Sequence, residues 1–353
     1  MPDPLLWGQA FALAALVSAA LSFLARRIVP GAAGGGTSRT SGPMAVLAIA
    51  AGFAAGCGLL RLPTAWKPTS ALDRFLVIVF PAAVAVETIA ASSLVSRRLA
   101  WLLRIVLAGA TGRLLLHDSV YLAGPHREWT ASITTGVLAG SAAMLTAAWW
   151  LLTAMERRGA GIAAPLSLAM TLVGSGVAIL LEGYLRGGIV PLPLAAAIVG
   201  WTLATARGSR CSAATAEVNG GEPAAGTGPL PLKSEAIDGV LGLGVVGLFS
   251  TLFIGRFFAG LSTASAVALF SAPLWSSLAE SLPPRWRHGA RGVGIRLLLV
   301  ALPITVVILL AMPEFVNETL PLITAADDSP DRATAWDRPR SHIHLSARES
   351  GAF

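Results

Sequence analysis

Apolar runs of roughly 20 residues recur along the whole chain, separated by short polar or basic stretches. Ten are legible, at 5–25, 43–61, 74–95, 99–117, 131–153, 162–184, 189–206, 237–260, 263–280 and 293–312. A helix rises about 1.5 Å per residue, so some 20 residues cross a hydrocarbon core of about 30 Å. Lipid offers the backbone no partners, and a helix satisfies its own N–H and C=O groups. Strands of a membrane barrel would alternate apolar and polar residues over about ten positions, and these runs do not. The pattern predicts an all-α, polytopic transmembrane bundle of about ten spans.

Loop charges suggest an orientation. The basic loops hold Arg26, Arg27 and Arg39; Arg97 and Arg98; Arg157 and Arg158; Arg207, Arg210 and Lys233; and Arg285, Arg287 and Arg291. All five lie on one side if the spans alternate. The positive-inside bias then puts the N-terminus and the C-terminus outside. Seven tryptophans (Trp7, Trp66, Trp101, Trp129, Trp149, Trp150 and Trp201) fall near predicted span ends, where an aromatic belt is expected. The first apolar run follows MPDP without a basic leader, and Arg26 and Arg27 come after it. That order favours a retained helix over a cleaved signal peptide.

The punctuation divides the chain. Residues 1–206 read as a seven-span bundle and 207–236 as a flexible cytoplasmic linker rich in Gly, Ala, Pro and Ser. Residues 237–312 read as a three-span segment, and 313–353 as a polar, largely disordered tail.

Composition narrows the class further. Hydrophobic residues make up 54% of the 353 positions and charged ones 13%, with a mean hydropathy of +0.69. Soluble domains carry about 25% charged residues, so a soluble enzyme is excluded. The net charge of +7 comes almost wholly from arginine, since Lys67 and Lys233 are the only lysines. With the charge confined to short loops, the expected partner is the lipid bilayer, with small solutes or other membrane proteins beside it, and no nucleic acid. Arg-over-Lys usage with abundant Ala and Gly points to a bacterial inner membrane.

The hairpin at 73–118 carries the sharpest chemical signal. Its first arm holds Glu87, about eight residues or roughly 12 Å from the inner end of its helix, which precedes the basic turn at Arg97 and Arg98. A lone charge at that depth costs on the order of 3 kcal/mol. Arg104 enters the second arm from the same side, one helical turn closer to the turn, and its long side chain can reach back. An intramembrane ion pair of Glu87 and Arg104 is therefore expected, either as a clasp between helices or as a proton or substrate site. Pro81 cannot bond the carbonyl of Val77, so a kink is expected beside it.

Two further groups merit attention. His117, Asp118, Tyr121, His126 and Glu128 form the densest polar cluster, at the outer end of the hairpin. They suit an interfacial loop or a polar site, and their spacing matches no metal motif. Ser167, Thr171, Ser175 and Glu182 line one face of the sixth run. They suit a solute path or a helix contact. Pro191 and Pro193 can break the seventh run and bare carbonyls. Gly242, Gly244 and Gly247 spell GxGxxG inside an apolar run with no preceding strand, so helix packing explains them and a dinucleotide does not. No cofactor or metal motif occurs in a usable setting.

Three functions fit: a small-solute transporter with Glu87 as its acid, a structural or assembly subunit of a membrane complex, and a lipid-processing intramembrane enzyme using the outer cluster. Non-catalytic readings are favoured, because no reaction motif is present.

Overall fold

A computed structural model describes residues 4–28, 41–62, 67–92, 95–122, 129–157, 161–218, 234–281, 283 and 289–316. These residues form an all-helical protein with no strand among them. The helices are α1 (Pro4–Ile28), α2 (Ser41–Leu59), α3 (Ala71–Ala91), α4 (Arg97–Leu115), α5 (Ala131–Met155) and α6 (Ala163–Leu181). Next come α7 (Leu185–Ile189), α8 (Pro191–Val218), α9 (Ser234–Phe258), α10 (Thr263–Trp275) with a 3₁₀ turn over Ser276–Ser281, and α11 (Gly289–Glu314). The loop at 29–40, residues 219–233 of the linker and the tail from 317 lie outside the described residues.

Every apolar run has a helical counterpart. Eight of these helical stretches are long and apolar enough to cross a membrane, so the protein has the make-up of a multi-pass membrane protein. The exceptions are α4, which carries Arg97, Arg98, Arg104 and Arg113, and α10, which is 13 residues long. Residues 185–207 form one candidate span across the break at Val190.

Local chemistry explains the ends and irregularities. Ser70, Ser96, Thr130 and Ser262 cap α3, α4, α5 and α10 with side-chain oxygens that accept from backbone N–H groups. Pro81 has no N–H to give Val77, and α3 absorbs this with a π turn over Phe75–Val79, in which Phe80 N–H reaches back to Phe75 O. The expected kink at Pro81 is thus a change of helical winding just before it. α8 runs to Val218, past the span end expected at 206, because Ala-rich SAATAEV continues the helix through residues read as linker.

The bundle is built around α9. Its membrane-length stretch is 94% buried, against 22% for α1 and 28% for α11. It touches α2, α3, α4, α5, α6, α8 and α10. Glycines allow this crowding: a Cβ at Gly244 would meet Leu168 at 3.0 Å, and one at Gly255 would meet Ile179 at 2.9 Å. The α3–α4 hairpin lies on one side of this post, and α5 packs against α4. Elsewhere around it α6 packs against α8 and α11, and α1 against α2 and α8.

Candidate functional site

The hairpin brings its two charged residues together. Arg104 Nε donates to Glu87 Oε1 at 2.8 Å, and Nη2 donates to Oε2 at 2.6 Å. This two-pronged geometry matches a planar guanidinium to a planar carboxylate. Glu87 is 0% exposed and Arg104 6%. At the far end of the hairpin Arg74, early in α3, meets Asp118, just past α4. One antiparallel register satisfies both contacts.

Two other helices close the pair. The guanidinium carbon of Arg104 lies 5.3 Å from the ring centres of both Trp101 and Trp149, so two indoles flank the cation. Trp149 on α5 is 0% exposed and Trp201 on α8 3%, so neither belongs to an interfacial belt; here the belt expectation fails, because both rings turn inward to pack. From α9, Gly242 faces the carboxylate. A Cβ there would clash with the Glu87 carboxyl carbon and lie 2.7 Å from Oε1. The Gly242 position of the GxGxxG run is therefore a packing device, set aside for this acid.

A second carboxylate stands nearby. Asp238, one turn before Gly242 on α9, pairs with Arg157 Nη2 at 3.7 Å. Arg104 and Arg97 also lie within its electrostatic reach. Its Oδ1 is buried without a hydrogen-bond partner among the described residues. Glu87, Arg104, Asp238 and Arg157 thus form a chain of alternating charge from the middle of the bundle toward the Arg97 end. Sequence reading missed Asp238, which looked like the polar start of an apolar run. The signal was its spacing of four from Gly242, which puts both on one face.

The outer cluster divides into two parts. His117 Nδ1 lies 2.8 Å from Asp118 Oδ2, and Asp118 Oδ2 lies 3.4 Å from Arg74 Nη2. Arg74 also donates to the His117 carbonyl, and to Thr69 O at 3.2 Å. Tyr121 points elsewhere: its hydroxyl donates to Phe257 O at 3.3 Å, and its ring packs with Trp129 and Phe257. His126 and Glu128 lie outside the described residues. Among the described residues no three His, Cys, Asp or Glu side chains are grouped to hold a metal ion.

The stripe on α6 is inward and internally bonded. Ser167, Thr171 and Ser175 are each 0% exposed. Their hydroxyls donate to Ala163 O at 2.7 Å, Ser167 O at 2.8 Å and Leu172 O at 2.9 Å. Glu182 caps the end of the helix, half-buried, its carboxylate facing Gly260. The break before Pro191 is also packed: a Cβ on Gly176 of α6 would lie 2.6 Å from Gly188 O.

Grooves open on the surface of the described residues. One, of about 730 Å³, runs between α2 and α3 and is lined by Ala50, Ala54, Gly58, Pro81, Ala85 and Thr88 among others. Another, of about 550 Å³, lies on α4 along Arg97, Arg98, Trp101, Leu102 and Ile105. Neither is lined by Glu87, by His117 or by the hydroxyl stripe of α6. No protein-family model, curated protein or solved structure matches the chain.

Proposed function

We propose that this chain is a structural or assembly subunit of a membrane complex, crossing the bilayer ten times with both termini on the outer side. The observation that carries the reading is the sealing of the mid-span acid–base pair: Glu87 has no exposed surface and both its oxygens are taken by Arg104. A transport site must meet solute, and this carboxylate meets a guanidinium and glycine backbone. The pair then serves to fix the α3–α4 hairpin against α9 and α5.

Packing supports ten crossings. Helix α4 lies along α3 from Arg104 to Asp118, so it crosses wherever α3 does. α10 and its 3₁₀ turn together rise roughly 30 Å, enough for the core. The groove between α2 and α3 is where a partner's apolar helix would dock. Small residues line both walls, Ala50, Ala54 and Gly58 at spacings of four on α2 and Pro81 and Ala85 on α3. A Cβ at Gly58 would meet nothing within 4 Å, so the space is open. Such surfaces let helix backbones approach closely.

The test is the mass of the chain taken from its own membrane into polymer nanodiscs. The reading expects a discrete larger complex of fixed stoichiometry, lost when Ala54→Leu and Gly58→Leu fill the groove. A lone chain at every expression level contradicts it.

One observation favours a second reading, a small-solute transporter. Asp238 offers Arg104 another carboxylate, so Glu87 can be released without stranding the cation. Glu87→Gln separates the two: a well-assembled variant that loses solute uptake in proteoliposomes supports transport, and an unstable variant with no uptake to lose supports assembly.

A further inference from the structure

We propose that the groove on α4 binds one anionic phospholipid, with its phosphate between Arg97 and Arg98 and an acyl chain laid over Trp101, Leu102 and Ile105. Positions 97, 98, 101, 102 and 105 share one face of a helix. The structure makes that face a shallow, open groove of about 550 Å³ with no other lining residue among the described ones. Its composition changes along its length in the order a phospholipid does. Both arginines are exposed at the end of the helix; Leu102 and Ile105 are 57% and 52% exposed one and two turns further in.

Ordinary orientation charges sit in loops and point to water. These two differ in sharing a continuous recess with an apolar floor. Arg98 has no ion-pair partner among the described residues, and Arg97 has only the distant field of Asp238. The pair is therefore available to an outside anion. A free phosphate would match the arginines and leave the floor bare, while a lipid matches both. Trp101 links the groove to the interior, since its ring forms the groove wall and also flanks Arg104. A lipid seated here would lean on the same indole that covers the Glu87–Arg104 pair. This site is separate from the groove between α2 and α3 and does not depend on the assembly reading.

The experiment is native mass spectrometry of the full chain in neutral detergent, titrated with phosphatidylglycerol or with phosphatidylcholine of the same chains. The expected result is one tightly retained phosphatidylglycerol per chain and weaker phosphatidylcholine. Each basic residue at a membrane surface adds about fivefold to such binding, so R97Q/R98Q should weaken it by roughly tenfold or more. R98Q alone should weaken it by about fivefold, and it leaves Arg97 in the distant field of Asp238 undisturbed. Arg113→Gln, at the other end of α4, should change nothing, and Ile105→Asn should weaken retention with both charges in place. Equal retention of the two lipids, an unaltered R98Q, an unaltered I105N, or displacement of the lipid by inorganic phosphate at matched concentration would overturn the proposal.

Discussion

The α3–α4 hairpin is tied at two levels, by Glu87 with Arg104 inside the bundle and by Asp118 with Arg74 at its far end. The inner pair has carboxylate and guanidinium both buried, two hydrogen bonds of 2.8 and 2.6 Å, and two indoles against the cation. In the outer pair the arginine is equally buried, at 8% side-chain exposure, but its acid is 67% exposed and 3.4 Å away. Arg74 leans instead on the carbonyls of His117 and Thr69. The same two residue types therefore do different things. Water can take over from Asp118 if it is removed. Among the described residues the other acid within reach of Arg104 is Asp238, already engaged with Arg157. Burial makes the inner pair obligatory and leaves the outer one dispensable.

Mutations should widen this contrast. The largest effect is expected from Glu87→Leu or Arg104→Leu alone, which leaves one charge buried without its partner. Each should cost about 3–5 kcal/mol, read as lost stability in denaturant-titrated micelles. Gly242→Ala should come next, at about 1–3 kcal/mol, because its Cβ would overlap the Glu87 carboxyl. A Gly242→Ala protein as stable as the parent would show that the carboxylate can move aside. Trp149→Phe keeps an aromatic face near Arg104 and should cost about 1 kcal/mol, while Trp149→Leu, which removes it, should cost more. The smallest effect is expected from Asp118→Asn, below about 0.5 kcal/mol in the same titration, because the acid is exposed.

What the sequence discloses follows from what lipid conceals. A charge in an apolar run stands out, so Glu87 and Arg104 were legible, and so were the positions of the helices. The central place of α9 was not. In a membrane the outside of the bundle is as apolar as its inside, so hydrophobicity cannot separate a core helix from a peripheral one. The usable signal is small residues on several faces, and Gly239, Gly242, Gly244, Gly247 and Gly255 supply it. Trp149 was misread for a related reason: a tryptophan near a span end is ordinary at an interface, and only its neighbour Arg104 reveals that it turns inward. The outer cluster looked like one site because its residues are close in sequence. The left-handed backbone at Asp118, with φ of 55°, turns the chain so that His117 and Asp118 face Arg74, while Tyr121 joins Trp129 and Phe257.

The most direct measurement is a double-mutant cycle at the inner pair, with stability determined for the parent, Glu87→Leu, Arg104→Leu and the double variant in the same micelles. If the pair is a sealed clasp, each single variant loses several kcal/mol and the double variant recovers most of it, since two apolar side chains suit this site as well as a matched pair does. Additive losses, with the double variant the least stable of the four, would contradict the account.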